Sequence, residues 1–260
     1  MLFLIGLGLD TNDISVKALD MIRNADSVMF DSYTNIIPMD YIALIEKEAG
    51  KKIIELRRAD LEDNIVSTIS QAKEKNVAML VSGDPMIATT HSIIINKAIE
   101  LGIAYTIVHS SSILSAGFGE SGLSPYRFGQ TTTIPFWSEN YKPVSFLDTV
   151  KKNLDIGAHT LLLLDYDGME RKGMDLKMAI TLLEEAERQR GYGIVKKGRK
   201  IIVMSNLGKR DQAIIFKDIS EINLEDLNEF SGKILTLAIP SKLSFAEEES
   251  ASRFLRENNP

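Results

Sequence analysis

Three short stretches place glycine, aspartate and serine directly behind apolar runs, where backbone amides and small polar side chains can hold a ligand. Ser82-Gly83-Asp84-Pro85 follows the apolar run Val77–Val81. An aspartate there can pair with an amine or hydroxyl of a ligand, and Gly-Asp-Pro is equally good turn chemistry. Gly6-Leu7-Gly8-Leu9-Asp10 follows Leu2–Ile5 and is half of a dinucleotide fingerprint. Its third glycine position is held by Thr11, so the full pattern fails. The two glycines permit close backbone approach to a ligand, or simply a tight turn. Ser110-Ser111-Ser112 follows Tyr105–Val108; its hydroxyls suit a polar ligand or cap the next helix. Gly117-Phe118-Gly119-Glu120-Ser121-Gly122 spells the full fingerprint string. It follows a helix-like segment and no strand, so it reads as a glycine-rich helix end.

Other chemistries are excluded by composition. The chain has no cysteine, which removes disulfides, thiolate nucleophiles, Cys-ligated zinc and iron–sulfur clusters. His91, His109 and His159 are its 3 histidines and show no helical spacing, so no metal site is expected. The formal charge of −6 argues against a nucleic-acid binder. No apolar run approaches the ~20 residues of a membrane span. Met1–Gly6 has no basic stretch before its apolar run and reads as a first strand, not a leader; a cytoplasmic protein is expected. Glu247-Glu248-Glu249 reads as a solvated helix face.

The elements that must position these residues alternate through the first half. Strands are predicted at Leu2–Ile5, Ser27–Phe30, Lys52–Glu55, Val77–Val81 and Tyr105–Val108. Helices are predicted at Val16–Asn24, Met39–Glu48, Asp63–Lys75 and Thr89–Leu101. Ile14 and Leu19 around Ser15 form a hydrophobic staple that fixes the first helix start. Such alternation gives a mostly parallel sheet covered on both faces. The loops after Ile5, Val81 and Val108 would then share one edge. The second half is mixed. Strands are predicted at Thr131–Ile134, Thr160–Leu164, Ile201–Met204, Ala213–Phe216 and Ile234–Ala238, and helices at Phe146–Asn153, Leu176–Glu187 and Phe245–Leu255. Short connections there imply antiparallel pairing. Asp165–Gly173 reads as a polar loop, over a site or merely solvated. The domains are set at 1–110 and 111–260, and no internal repeat is visible.

Together these stretches resemble the diphthine synthases. The resemblance is carried by Phe3–Leu9 with Asp13–Leu19, by Ser32-Tyr33-Thr34, and by Gly83-Asp84-Pro85-Met86-Ile87-Ala88-Thr89-Thr90-His91-Ser92. Tyr126–Gln130 and Gly157–Asp165 complete it, in order along nearly the whole chain. Thr89-Thr90-His91 sets this family apart from tetrapyrrole and ribosomal-RNA methylases of the same fold. The resemblance implies an α/β, two-domain tetrapyrrole-methylase-like fold with a mostly parallel N-terminal sheet, a mixed C-terminal sheet and a cofactor cleft between the domains. It implies an S-adenosylmethionine-dependent N-methyltransferase acting on the aminocarboxypropyl-histidine of translation elongation factor 2 to form diphthine, and a homodimer. It places cofactor contacts at Leu9, Asp84, Ile87, Ser112, Ile113, Leu163, Leu207 and Ser244. Relatives often carry histidine at Ser244, and an Ala-Arg-x-Gly pattern where this chain has Ser205-Asn206-Leu207-Gly208. No catalytic residue is assigned. Asp31, Tyr33, Phe136 and Asp165 are candidates by type for accommodating a methylammonium. A tetrapyrrole or RNA methyltransferase and a non-enzymatic ligand-binding domain stay open as alternatives.

Overall fold

The structure, a computed structural model, describes residues 1–33, 37–168, 170 and 172–254. It forms two compact units, Met1–Ile113 with Gly168–Arg171, and Leu114–Asp167 with Lys172–Pro260. The first contains β1 (Leu2–Gly6), α1 (Val16–Asn24), β2 (Ser27–Asp31), α2 (Met39–Ala49), β3 (Ile53–Leu56), α3 (Arg58–Glu62), α4 (Ile65–Ser70), β4 (Val77–Val81), α5 (Ser92–Glu100) and β5 (Tyr105–Val108). The second contains α6 (Ile113–Glu120), β6 (Thr132–Ile134), α7 (Ser145–Asp155), β7 (Thr160–Leu164), β8 (Tyr166–Asp167), β9 (Lys172–Gly173), α8 (Leu176–Arg190), β10 (Lys200–Ser205), β11 (Ala213–Asp218), α9 (Leu224–Glu229), β12 (Leu235–Ile239) and α10 (Phe245–Ser252).

The first sheet is parallel throughout, in the order β3-β2-β4-β1-β5. β1 and β4 are buried along their whole length, which is why they read as unbroken apolar runs. Alternate residues feed two cores. Phe3, Ile5, Phe30 and Leu80 pack with Ala18 and Ile22 of α1 and Ile42 and Ile45 of α2. Leu2, Leu4, Met29 and Met79 pack with Ile69 of α4 and Ile94 and Ala98 of α5. The predicted start of α1 holds: Ser15 Oγ accepts the Ala18 N–H at 3.1 Å and caps the helix.

Two helix predictions need correction. The helix expected over Asp63–Lys75 is shorter, α4 at Ile65–Ser70 with a 3₁₀ turn, Gln71–Lys73, behind it; an unexpected helix, α3, precedes it and ends where the Asp63 and Asn64 amides both bond the Ala59 carbonyl. α3 buries no residue, so it left no apolar period to read. The helix expected from Thr89 starts at Ser92, because Thr89–His91 belongs to the loop behind β4.

The second sheet runs β11-β10-β12-β7-β6. β6 and β7 are parallel, while β12 is antiparallel to both β7 and β10. The C-terminal ends of β6, β7 and β10 therefore share one edge, and β12 ends at the opposite one. Phe146, Leu147 and Val150 of α7 and Leu176, Ala179 and Leu183 of α8 fill its core. The polar stretch read as a loop at Asp165–Gly173 contains the β8–β9 hairpin. α9 was missed, although Asn223 and Asp226 form a capping box at its start. α10 ends at Ser252; Leu255, like Thr34 of the Ser32-Tyr33-Thr34 stretch, lies outside the described residues.

Candidate functional site

The parallel order brings the three predicted loops together at the C-terminal edge of β4, β1 and β5. The Gly8 N–H bonds the Gly83 carbonyl at 3.2 Å and the Gly83 N–H returns to the Gly8 carbonyl at 2.8 Å. A Cβ on Gly6 would stand 2.6 Å from the Gly83 oxygen and 2.9 Å from Pro85 Cδ, so that position takes only glycine. Asp84 is buried, 6% exposed. Its Oδ2 accepts from His109 Nδ1 at 2.8 Å and the Ser110 N–H at 3.2 Å, and its Oδ1 from the Met86 N–H at 2.9 Å. Asp84 thus ties the β4 loop to the β5 loop. The Leu9 N–H bonds Asp13 Oδ2 at 3.0 Å and Ser111 Oγ at 3.1 Å. The Ile87 N–H bonds the Asp84 carbonyl at 3.2 Å; Ser112 is buried and Ile113, half-buried, opens α6. Five of the eight positions implied for the cofactor, Leu9, Asp84, Ile87, Ser112 and Ile113, therefore lie on these three loops.

Beneath the Gly83–Pro85 turn sits a buried pair. His91 Nε2 lies 2.9 Å from Asp31 Oδ2, and His91 Nδ1 lies 3.1 Å from the Pro85 carbonyl. His91 is 2% exposed and Asp31 0%. Both ring nitrogens face acceptors, so the histidine pins the turn to the end of β2. Two further features mark this segment. Ala88 adopts φ 55°, a left-handed conformation that costs a non-glycine residue about 1–2 kcal/mol. Thr89 Oγ1 is buried and has no hydrogen-bond partner, which is costly unless a ligand or water meets it.

In the second unit, Leu163 lies near the end of β7 and Leu207 just beyond β10, on the same sheet edge. Asn206 takes φ 47°, held by its amide on the Ile234 carbonyl at 2.9 Å and its Oδ1 on the Ile234 N–H at 3.1 Å. Ile234 therefore joins Leu207 at this edge, a pairing the sequence does not announce. Ser244 follows β12 and lies at the opposite edge, so the sheet does not bring it together with Leu163 and Leu207. Its hydroxyl caps α10 by accepting the Glu247 N–H at 3.4 Å, and donates to Glu247 Oε2 at 2.9 Å.

Glu247 corrects the reading of a solvated acidic face: it is 3% exposed. It accepts from the Ser124 N–H at 3.0 Å, from His159 Nε2 at 2.9 Å and from the Ser244 N–H at 2.8 Å, and it pairs with Arg127. These donors outweigh burial and bring its carboxyl down to about 2. His159 Nδ1 accepts the Ser241 N–H at 2.9 Å, so its single proton sits on Nε2; burial holds its pKa below the usual value.

The four candidates by type have structural partners. Asp31 is held by His91, and the Tyr33 hydroxyl donates to Glu62 at 3.1 Å. Burial and then Glu62 raise the Tyr33 phenol. Asp165 Oδ2 accepts the Phe136 N–H at 2.9 Å and its Oδ1 the Tyr166 N–H at 2.9 Å. Among the described residues no acidic and histidine groups cluster as a metal site, and no helix is long and apolar enough to cross a membrane.

A Cβ on Gly83 would meet only Ser111 O at 3.8 Å and Leu9 Cδ2 at 3.9 Å, so there is room beside Leu9. Thr89 offers an unused hydroxyl in the same segment. The chain matches a family model described as Tetrapyrrole (Corrin/Porphyrin) Methylases over residues 1–223. A diphthine synthase of Methanocaldococcus jannaschii is 37% identical, covering 99% of this chain and 100% of the relative. A diphthine methyl ester synthase of Homo sapiens is 36% identical over 88% of this chain and 87% of its own. A crystal structure of diphthine synthase superposes with a TM-score of 0.84 at 32% identity, covering 98% of this chain and 96% of the other.

Proposed function

We propose, from the premise that this chain belongs to the tetrapyrrole methylase family and within it to the diphthine synthases, that it transfers methyl groups from S-adenosylmethionine to the amine of an aminocarboxypropyl-histidine on translation elongation factor 2. The observation that carries the cofactor assignment is the hydrogen-bonded joining of the Leu9, Asp84 and Ser110–Ser112 loops at one edge of the parallel sheet. Ligands of open α/β sheets bind beyond the carboxyl ends of the strands. Room beside Gly83 and the spare Thr89 hydroxyl support the same place. In the second unit the assigned positions are Leu163, Leu207 and Ser244, the first two of which share one sheet edge.

When bound, the cofactor supplies an activated sulfonium methyl group, and the protein supplies alignment. Both Asp84 oxygens are committed to loop hydrogen bonds, so Asp84 orients the loop and leaves the proton of the attacking amine to another acceptor. His91 and Asp31 hold the Gly-Asp-Pro turn from below. The absence of cysteine is no obstacle, because this reaction needs no thiol.

The acceptor is read as a protein side chain. The charge of −6 favours that over RNA. The reading includes a homodimer at work in the cytoplasm, without a membrane or nucleic-acid partner. The test offers three acceptors with labelled cofactor: elongation factor bearing the aminocarboxypropyl-histidine, a uroporphyrinogen-type tetrapyrrole, and ribosomal RNA. Label is expected only in the factor. Label in either of the others, with none in the factor, overturns the acceptor and leaves the family standing. The mass increment of the factor also counts the methyl groups, on which the names of the relatives differ.

A further inference from the structure

Glycine-rich turns behind a first parallel strand bind phosphate in many α/β proteins, because successive N–H groups converge ahead of a helix N-terminus. The turn after β1 has that sequence form and a different electrostatic state. Asp13 reaches back across it. Its Oδ2 accepts from the Leu9 N–H at 3.0 Å, the Asp10 N–H at 3.3 Å and the Ser111 hydroxyl at 2.7 Å. The Leu7 and Gly8 amides are taken by the Val81 and Gly83 carbonyls at 2.9 and 3.2 Å. Every amide from Leu7 to Asp10 thus has an acceptor inside the protein.

Two further observations fit a carboxylate built into this place. Gly8 has φ +80°, and a Cβ on it would collide with Asp13 Cβ, so the glycine makes room for Asp13. Tyr41, whose hydroxyl donates to the Leu7 carbonyl at 3.3 Å, has its phenol pushed up to about 12, by burial first and then by the charges of Asp13 and Asp10.

We propose that Asp13 is a specificity-determining residue that fills the anion position of the first strand-end turn with the chain's own carboxylate and so rejects phosphate-bearing ligands. The proposal rests on the reading that S-adenosylmethionine binds at this edge and deepens it. Adenine nucleotides and dinucleotides share the adenosyl half of that ligand, and the phosphate is what sets them apart. A turn whose N–H groups are already bonded offers a phosphate no donors, and the carboxylate repels it at contact distance.

The test titrates the full chain and its Asp13→Asn, Asp13→Ser and Asp13→Glu variants with inorganic pyrophosphate and, separately, with S-adenosylhomocysteine. The unaltered protein and Asp13→Glu should not respond to pyrophosphate in the millimolar range. Asp13→Asn and Asp13→Ser should bind it at least about tenfold more tightly than the unaltered protein, the equivalent of about 1.4 kcal/mol. Their affinity for S-adenosylhomocysteine should change by less. Folded Asp13→Asn and Asp13→Ser proteins without that gain, or an equal loss for both ligands, overturn the proposal. If neither variant folds, the unaltered protein decides: displacement of S-adenosylhomocysteine by pyrophosphate overturns it, and failure to displace supports it. If S-adenosylhomocysteine binds no form while the two variants gain pyrophosphate, the cofactor reading fails and the role of Asp13 stands.

Discussion

Asp84 makes three hydrogen bonds within the two loops it joins, and its removal frees all of those donors at once. Asp84→Ala should weaken cofactor binding by about 1–3 kcal/mol, the usual cost of stranding buried polar groups. Calorimetry with S-adenosylhomocysteine measures this. Normal binding with abolished turnover would make Asp84 catalytic and refute its assigned role. The His91–Asp31 pair is a sharper case, because neither group reaches solvent. Asp31→Ala leaves His91 Nε2 without its buried acceptor and should cost about 1–3 kcal/mol in urea unfolding; a loss well below about 1 kcal/mol would show the pair to be dispensable. Residue identity made Asp84 legible in the sequence, since Gly-Asp-Pro behind an apolar strand is a local signal. Asp13 and the Asp31–His91 pair were not legible as partners. Their contacts join positions on different loops or span 60 residues of chain, and no local spacing encodes them.

α10 shows how an element can be secured by a residue that its own sequence seems to assign to solvent. Glu247 anchors the helix start to Ser124, Arg127 and His159. Its carboxyl is held at about 2, below the ordinary 4.5, so the unfolded chain takes up its proton first as pH falls. The stabilisation is complete above about 4.5 and is lost progressively toward 2. His159, held below the ordinary 6.5 by burial, adds a loss of the same sign that begins as pH falls through 6.5. Thermal unfolding of Glu247→Gln against pH should therefore start lower at neutrality and show a flatter decline between about 4.5 and 2 than the unaltered protein. An unchanged slope would show that Glu247 carries no linkage. Three consecutive glutamates in the sequence look alike; burial selects the first because it stands at N3 of a capped helix. Strands were easier to read. Val77–Val81 and Thr160–Leu164 are apolar runs of strand length bounded by polar turns. α3 and α9, of five and six residues, are too short to establish a period, and α9 was signalled only by its cap.

Across the whole molecule, the two units hold separate cores, and the single tryptophan, Trp137, packs against that of the second. Its indole N–H bonds the Pro143 carbonyl at 3.1 Å, so its fluorescence is a local probe of the second unit. A ligand bound by the folded protein at a hundred times its dissociation constant adds about 2.7 kcal/mol of stability. S-adenosylhomocysteine should raise the melting temperature accordingly, and NAD should not; no shift with S-adenosylmethionine or with S-adenosylhomocysteine would count against the cofactor assignment. The order of the parallel sheet has a last consequence, for solubility. It leaves β3 and β5 as outer strands, each with one side free of a strand partner among the described residues. Unpaired strand edges recruit other chains into aggregates. Both strands are four residues long. Lys51 and Lys52 flank Ile53 and Ile54, and Glu55 interrupts the run before Leu56. These charges act as gatekeepers for an apolar edge whose Ile54 is 54% exposed. Replacing Lys52 and Glu55 with valine would leave the fold and its loops in place, and would turn that rim into a nucleus for precipitation during concentration.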